Sequence, residues 1–463
     1  MKHKILSLQI CIVLTIVGMF GISGKISAQE VNSLYFLDNT PMHTQWNPAM
    51  APKHSSVGIG LSNVSLGFQS DLAFSDLFTP SSDGKTLYTF LSPNVDKNDF
   101  ISKLKDVSSI NFNSSMDFIN IGFRLLNNYF TFHSGLNVDF GGGIPKDFFK
   151  MFMLGMDKNT TSTNFDLTKT KVNAMAYAKI GVGYSMNIGS KLSVGINANY
   201  LYGIADMRMG FDQLTVNASQ TNWTVTTKGY LQMAAPEQIS FEYKDDGYLD
   251  KIQKTGNFTS LPHAGSGMSI DLGATFKPLS ILKLSASITD IGSIKWNKDC
   301  VQRAKSSGTF AFNGVDLNDE NEQSTTSKDV IQNFRDMAHF QKDNTFSTYS
   351  SSLTTKMNLG GEVGFLNDRI SAGLLSQTCF ASDGTYENIM ISANAKPISI
   401  IQAALTYSLL HGKQSAIGAA VNAKLLFFDL FFAADCIPTK FSPQMIPINN
   451  SYFNTEFGLN VMF

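Results

Sequence analysis

The stretch Tyr452-Phe-Asn-Thr-Glu-Phe-Gly-Leu-Asn-Val-Met-Phe463 decides the fold class, because the polarity of its side chains alternates from one residue to the next. As a β-strand, its second half has one apolar face, opposite a face that carries Glu456, Gly458, Asn460 and Met462. Taken alone, the pattern also fits a half-buried strand of a soluble sandwich. A chain end is ordinarily polar and frayed, so an apolar strand here predicts a dedicated use. The apolar face consists of Phe457, Leu459, Val461 and Phe463.

Residues 1–28 have the three parts of a secretory signal. Lys2 and Lys4 precede an apolar stretch at 5–22, and Ala28 supplies the small residue before a cleavage site. This order predicts export and removal of the signal. The alternative is a retained membrane anchor, which the polar residues within the stretch disfavour.

Composition narrows the class of protein. Only 16% of the residues are charged, the formal net charge is −1, and the chain has 36 Gly and 36 Phe. A near-neutral chain predicts no nucleic-acid partner. Low charge with much Gly and Phe suits a surface that faces lipid outside and a polar lumen inside. Removal of the signal also removes Cys11 and leaves three cysteines, Cys300, Cys379 and Cys436. An odd number without a C-x-x-C pair argues against a disulfide framework and against a zinc site.

The alternation recurs along the chain. It is clearest at 192–204, 268–276 and 401–409, where the second face carries mostly small or amide side chains. No apolar run after residue 28 approaches the roughly 20 residues of a spanning helix. The pattern predicts about fourteen strands, within a range of 12–16. They lie near 57–68, 110–125, 129–143, 166–186, 192–212, 265–276, 282–295, 352–365, 369–379, 387–395, 401–410, 415–425, 428–437 and 452–463.

Most connections between these strands alternate between short and long. A transmembrane barrel has tight turns at its periplasmic rim and long loops at its outer rim, whereas a sandwich has no such requirement. An even strand number also places both ends in the periplasm. We therefore predict an all-β transmembrane antiparallel β-barrel at 56–463, with a signal peptide at 1–28 and a periplasmic or plug segment at 29–55.

Four segments depart from the regular strand pattern. The apolar phase switches within 110–125, which requires a bulge. Segment 219–235 either extends a loop hairpin or adds strands. The residue patterns of 97–106 and 327–340 predict short helices, which would fold over the outer mouth of the barrel. Asp99 is a candidate N-cap for the first of these helices.

The last strand has two predicted uses. In lipid every backbone N–H and C=O needs a partner, so the first and last strands must meet. The ending on Phe463 also resembles the C-terminal aromatic signature by which the barrel-assembly machinery recognises outer-membrane substrates. We predict that 452–463 is both the seam of the barrel and its assembly signal.

Several short motifs carry a family resemblance. They are Leu34-Tyr-Phe-Leu-Asp-Asn39, Asn47-Pro-Ala49, Ile288-Thr-Asp-Ile-Gly292, Lys295-Trp296 and the terminal Phe463. The combination resembles an uncharacterised family of outer-membrane barrels in the group of the long-chain fatty-acid transporters and type IX secretion accessory barrels. The resemblance covers most of 29–463 and implies that the N-terminal segment folds into the lumen as a small plug. That segment is short for the full hatch of a fatty-acid transporter, so transport activity is not carried over.

No catalytic constellation follows from the strand faces. His133 and Ser134 point to opposite faces, and Asp139 lies too far along the same strand to orient His133. We therefore expect His133, Asp139 and Asp271 to be polar residues of the lumen. The acidic cluster at 316–322 is read as loop charge rather than a calcium site. The sequence predicts no enzyme, no cofactor and no metal.

Two functions remain open for a barrel in the outer membrane of a Gram-negative bacterium. The first is passage or binding of a small apolar solute past the plug. The second is a scaffold that holds a secretion or surface partner protein through long loops such as 213–264 and 296–351. The predicted ligand path comprises Leu34, Tyr35, Phe36, Leu37, Trp46, Asn47 and Pro48.

Overall fold

The computed structural model describes residues 33–38, 40–72, 78–80, 87–89, 92, 94–157, 159–258, 261–312, 334–345, 348–381, 384–410, 414–435 and 452–463. Its helices are α1 at His43–Trp46, α2 at Lys97–Lys103 and α3 at Lys146–Leu154. A 3-10 helix covers Lys298–Cys300, and residues 334–338 are helical. None of the helices in these ranges has the length and apolar composition to cross a membrane.

The strands divide into those of the main wall and shorter additions. Those before residue 260 are β1 Ser56–Ser70, β2 Phe78–Pro80, β3 Leu87–Thr89, β4 Val107–Leu125, β5 Asn128–Pro145, β6 Ser162–Asp166, β7 Lys171–Ile188, β8 Leu192–Ser219, β9 Trp223–Ala234, β10 Ile239–Tyr243 and β11 Leu249–Lys254. Those after it are β12 Gly265–Leu279, β13 Leu282–Trp296, β14 Val301–Phe312, β15 Gln341–Lys342, β16 Ser350–Ser352, β17 Thr355–Phe365, β18 Ile370–Ala381, β19 Gly384–Ile398, β20 Ile401–Leu410, β21 Gln414–Leu425, β22 Phe428–Asp435 and β23 Tyr452–Met462.

Fourteen strands form one closed antiparallel barrel, which confirms the predicted fold class. Around the wall they run β1, β4, β5, β7, β8, β12, β13 and then β17 to β23. The ring closes where β23 pairs with β1. At this seam Ser55 and Phe463 exchange backbone hydrogen bonds of 3.1 and 3.0 Å. Closure leaves no free strand edge in the wall, as a lipid surrounding requires.

The wall is apolar outside and polar inside. In β20, Gln402, Thr406 and Ser408 are buried and face the lumen, whereas Leu405 and Tyr407 are exposed. A water-soluble protein exposes polar side chains and buries large apolar ones, so this reversal fits a surrounding of lipid. The outward face of β23 follows the same rule, with Phe457, Leu459, Val461 and Phe463 exposed.

One rim carries the tight turns, and the barrel begins and ends there. Ser56 at the start of β1 pairs with Met462 at the end of β23. The predicted alternation of short and long connections is therefore present. The short turns lie at 126–127, 189–191, 280–281, 366–369, 399–400 and 426–427.

At the opposite rim an outer layer covers part of the wall's outward face. We define it as α2, α3, the hairpin β10–β11 and residues 334–340. On β5 the outward face is exposed at Phe132 but buried from Leu136 onward, where Leu261 packs over it. On β12 the outward face stays exposed up to Met268, close to the outer end of that strand. The exposed apolar band is therefore taller on one side of the barrel than on the other.

The structure refines several sequence predictions. The pairing of β4 with β5 shifts between Asp117 and Ile119, which is the bulge that the phase switch requires. Segment 219–235 adds the strand β9, which extends the sheet beyond the barrel by pairing with β8 and β14. The predicted strand 166–186 is wrong in one respect, because a turn at 167–170 separates β6 from β7.

The helices differ more from prediction. α2 ends at Lys103, and its cap is Asp96, whose side chain accepts from the backbone of Asn98 and Asp99. Asp99 is therefore not the cap. α3 lies within 144–165, which the strand pattern left as a connection. Residues 327–333, 316–322 and 1–28 lie outside the described residues, as does Cys436.

Candidate functional site in the barrel lumen

Residues 33–38 and 40–55, hereafter the N-terminal segment, run through the lumen. At one side, Ser33 bonds the carboxylate of Asp435 on β22 and lies 2.6 Å from Thr406 Oγ1 on β20. At another, Asn197 on β8 donates to Thr44 O at 2.9 Å. Because β8 and β20 lie on well separated parts of the wall, the segment spans the space between them.

The segment folds locally around His43, at the start of α1. His43 Nε2 donates to Leu34 O at 2.9 Å, which closes the two halves of the segment onto each other. Burial lowers the pKa of His43 to about 4, although the bond to Leu34 opposes the shift. His43 is therefore neutral at pH 7.

Asp38 ties the segment to the wall through charge. Burial alone would raise the pKa of Asp38, but Lys283 and Lys396 outweigh burial and hold it well below its usual range. Lys283 Nζ lies 3.5 Å from the carboxylate, and Lys396 forms a shorter ion pair with it. The backbone of Asp38 is also fixed, because Asp38 N donates to Gln402 Oε1 at 2.9 Å and Gln402 Nε2 donates to Asp38 O at 3.0 Å.

The predicted ligand-path residues Leu34, Tyr35, Phe36 and Leu37 are all buried in the lumen. They pack on an apolar strip of the inner wall, and Trp46 packs beside them with its ring stacked on Tyr35 at 6.3 Å between centroids. The inner wall elsewhere is mainly polar, so the strip is a local feature. The apolar strip comprises Leu375, Met390, Leu410, Ala416, Phe431 and Tyr452.

Asn47 and Pro48, also predicted for this path, lie against strands β8, β12 and β13 instead. Asn47 Nδ2 donates to Ala286 O at 3.2 Å, and a Cβ added to Gly273 would meet Asn47 Oδ1 at 2.1 Å. The carbonyl oxygen of Pro48 would likewise lie only 2.4 Å from a Cβ added to Gly195. Glycine at these two wall positions lets the segment approach the backbone closely.

A polar cavity lies beside the segment. Its volume is about 80 Å³, and Tyr35 and Trp46 line it together with side chains of β1, β4, β5, β7, β13 and β17. The wall contributes amides and hydroxyls, and also Lys179, Asp290 and Lys356. The lumen thus has an apolar side at the strip and a polar side at the cavity.

The predicted lumen residues are placed as follows. His133 is buried on the inner face of β5, while the adjacent Ser134 lies on the other face. Asp139 lines the polar cavity. Asp271 accepts from Asn199 Nδ2 at 3.0 Å and from the backbone N–H of Asp290 at 2.7 Å.

Sequence reasoning missed the charged residues that organise the lumen. Asp38, Asp117 and Asp290 each have a partner on a different element, so no local spacing pairs them. A signal existed for two of them, because Asp38 lies within the Leu34–Asn39 motif and Asp290 within the Ile288–Gly292 motif, but neither motif indicates the partner. Within the described residues, no group of three or more His, Cys, Asp or Glu side chains is arranged to hold a metal ion.

A closed fourteen-stranded barrel with an apolar exterior and a polar lumen defines the class of outer-membrane β-barrel proteins. The strand number is even, as in bacterial single-chain barrels of this class. The chain belongs to a protein family of unknown function, DUF5723, whose model matches residues 48–435.

Solved structures with a similar outline include transporters and a secretion domain. The Pseudomonas putida toluene transporter TodX is 9% identical, with 96% of this chain and 95% of that chain covered and a TM-score of 0.36. A Pseudomonas aeruginosa FadL homologue is 9% identical, with 95% and 99% covered and a TM-score of 0.41. The translocator domain of the autotransporter NalP from Neisseria meningitidis is 7% identical, with 89% of each chain covered and a TM-score of 0.33. Values this low transfer neither a site nor a substrate. No curated protein matches the chain.

Proposed function

We propose that this protein is an outer-membrane channel that binds or passes a small, mainly apolar solute, with the N-terminal segment as its plug. The observation that carries the proposal is the apolar strip, since the interior of a barrel of this class is ordinarily polar. Leu375, Met390 and Leu410 are buried there against Tyr35 and Phe36. When the segment withdraws, the strip becomes an apolar surface within a concave site, which is the usual form of a small-molecule site.

Deletion of residues 33–50 tests the plug. The deleted protein is expected to show a higher single-channel conductance in planar bilayers and a changed uptake of radiolabelled naphthalene into liposomes. Unchanged conductance together with unchanged uptake would contradict the proposal.

A pair of substitutions on one strand tests the strip. Leu410→Asn removes an apolar contact of the strip, whereas the control Ser408→Asn alters the same inner face two positions away. We expect Leu410→Asn to lower naphthalene uptake several-fold and Ser408→Asn to leave it unchanged. Equal uptake by the two variants would argue against an apolar path along the strip.

A scaffold that holds a partner protein is the second candidate, and the outer layer favours it. Phe241 and Leu249 of its hairpin form an apolar core with Phe340 and with Leu231 of β9. A layer with its own core can present a fixed surface outside the membrane. Crosslinking to one identified surface protein that requires 236–257 would support this function, and no such crosslink with the layer intact would count against it.

The orientation is part of the proposal. We place the tight-turn rim and both ends of the mature chain in the periplasm, after removal of residues 1–28. Labelling of intact cells is expected to modify a cysteine introduced in the outer layer, such as Lys251→Cys, but not Leu426→Cys in a tight turn. The reverse result would mean that the barrel has the opposite orientation in the membrane.

A further inference from the structure

The polar cavity is built around a strained residue. Asp290 has φ +59°, a left-handed conformation that is uncommon for a residue other than glycine. It lies where the pairing of β13 with β12 gains one residue, between Ile270↔Ile291 and Leu272↔Ile288. Such conformations persist only where the surroundings hold them, and they cluster at ligand sites.

Side chains from other strands hold this bulge. The N–H of Asp290 donates to Asp271 Oδ1 at 2.7 Å, and Thr355 Oγ1 donates to Asp290 O at 3.2 Å. The Asp290 carboxylate then lies 2.7 Å from Lys179 Nζ and 3.9 Å from Lys356 Nζ. The side chains of these three residues are between 11% and 15% exposed, so they border the cavity rather than the outside.

The rest of the lining supplies uncharged polar groups, aromatic rings and the carboxylates of Asp139 and Glu456. Asn63 Oδ1 is buried and accepts no hydrogen bond from the described residues. Asn63 lies on β1, where the pairing with β4 shifts, and it borders the cavity together with Ser115. Tyr35 and Trp46 border the same space with their stacked rings. A buried acceptor without a donor is costly unless a ligand or water satisfies it.

We propose that the polar cavity binds a small, uncharged polyhydroxylated solute of monosaccharide size. Hydroxyl groups both donate and accept, so they suit Asn63 Oδ1, the carboxylate of Asp290 and the lysines at once. An ionic ligand would have to separate charges that are already paired, such as Lys179 and Asp290, and would leave one buried charge uncompensated. The volume of about 80 Å³ has room for several water molecules, since one water needs about 10–15 Å³, and the hydroxyl groups of the solute would take their places.

Equilibrium dialysis of the full-length protein in detergent tests this site with radiolabelled glucose, glycine and acetate. The test variant is Asn63→Leu, which removes the unsatisfied acceptor. The matched control is Asn111→Leu, because Asn111 Oδ1 is also buried without a partner in the described residues but Asn111 does not border the cavity. Ser115→Val is a second test variant should Asn63→Leu fail to fold.

We expect the wild type to retain glucose but neither glycine nor acetate. Asn63→Leu or Ser115→Val should weaken glucose binding about fivefold, as loss of one hydrogen bond predicts, and Asn111→Leu less than twofold. No retained glucose, tighter retention of glycine or acetate, or equal weakening by Asn63→Leu and Asn111→Leu would overturn the proposal. Glucose binding does not require release of the segment, so its failure would leave the proposed plug untouched.

Discussion

Asp38 pairs the N-terminal segment with two lysines from different strands. Removal of its charge is therefore a direct way to weaken the docking of the segment. Lys283 comes from β13 and Lys396 from β19, and both lie near the same carboxylate. The side chain of Asp38 is 38% exposed, so water screens the pairs. The interaction is therefore moderate in strength, as the proposed role of the segment as a removable plug requires.

Asp38→Asn should loosen the segment without unfolding the barrel. The amide keeps the backbone contacts to Gln402 but loses both ion pairs, which at this exposure costs about 1 kcal/mol, or about fivefold in the ratio of docked to released segment. Single-channel recording should show a higher open probability at low salt and a smaller difference at high salt. The control Asp71→Asn removes an ion pair to Lys105 outside the lumen and should leave gating unchanged.

His43 should make docking sensitive to acid. Its pKa is about 4 when docked, whereas a released imidazole titrates near 6.5, so the released state takes up the extra proton as pH falls. Docking is therefore at full strength above about pH 6.5 and weakens between there and pH 4. Asp38 does not contribute in this window, because its lowered pKa loses stability only at more acidic pH.

Conductance measured at pH 7 and pH 4.5 checks this expectation. The wild type should open more often at pH 4.5. His43→Gln keeps an N–H donor for Leu34 O and cannot titrate, so its conductance should respond to pH less than that of the wild type. An equal response in both proteins would rule out His43 as the titrating group.

The closing strand β23 is a seam whose last side chain points away from the protein. Backbone bonds between Ser55 and Phe463 complete the ring, but the Phe463 side chain is 67% exposed. Removing an exposed ring costs little packing. Any strong effect of losing it must therefore arise before the barrel is complete.

Phe463→Ala should lower the amount of folded protein in outer-membrane fractions several-fold while leaving the urea midpoint of the folded protein unchanged. The control Phe453→Ala alters an exposed ring at the other end of β23. Folded yield measured by heat-modifiable gel mobility separates the two. If both variants accumulate like the wild type, Phe463 is not an assembly signal.

The wall strands could be predicted because each carries its face pattern within itself. The alternation predicts a strand at 401–410, and β20 lies at Ile401–Leu410. The switch of phase within 110–125 likewise indicates the bulge in β4. α3 could not be predicted in this way, since its apolar residues make sense only against β6 and the other helices. The site divides similarly. The apolar pattern around Leu34 and Tyr35 is local and can be seen in the sequence, whereas the position of Asp38 depends on Lys283 and Lys396, which are far away in the sequence.

Taken together, the chain places its apolar surface where a water-soluble protein places its polar one. Exposed Leu405 and buried Ser408 on β20 show the two environments within one strand. Placement of charge should therefore have opposite consequences from those in a soluble fold.

Leu405→Arg should destabilise the barrel by about 2–4 kcal/mol if that position lies near the bilayer midplane. Leu426→Arg is the control, because Leu426 is 94% exposed in a tight turn at the rim and should cost about 0–1 kcal/mol. Urea unfolding in liposomes measures both. Equal costs would contradict a lipid surrounding at Leu405.

Near the rim that carries the outer layer, the outward face of β5 is covered, whereas the outward face of β12 is exposed. This difference has a consequence for the membrane. Acyl chains can reach Met268 on one flank but meet the packed outer layer above Phe132 on the other. Such a hydrophobic mismatch is relieved when the protein tilts or when the bilayer becomes thinner locally. The leaflet at the rim that carries the outer layer should therefore be thinner along the β5 flank, so that its lipid headgroups come closest to the tight-turn rim there.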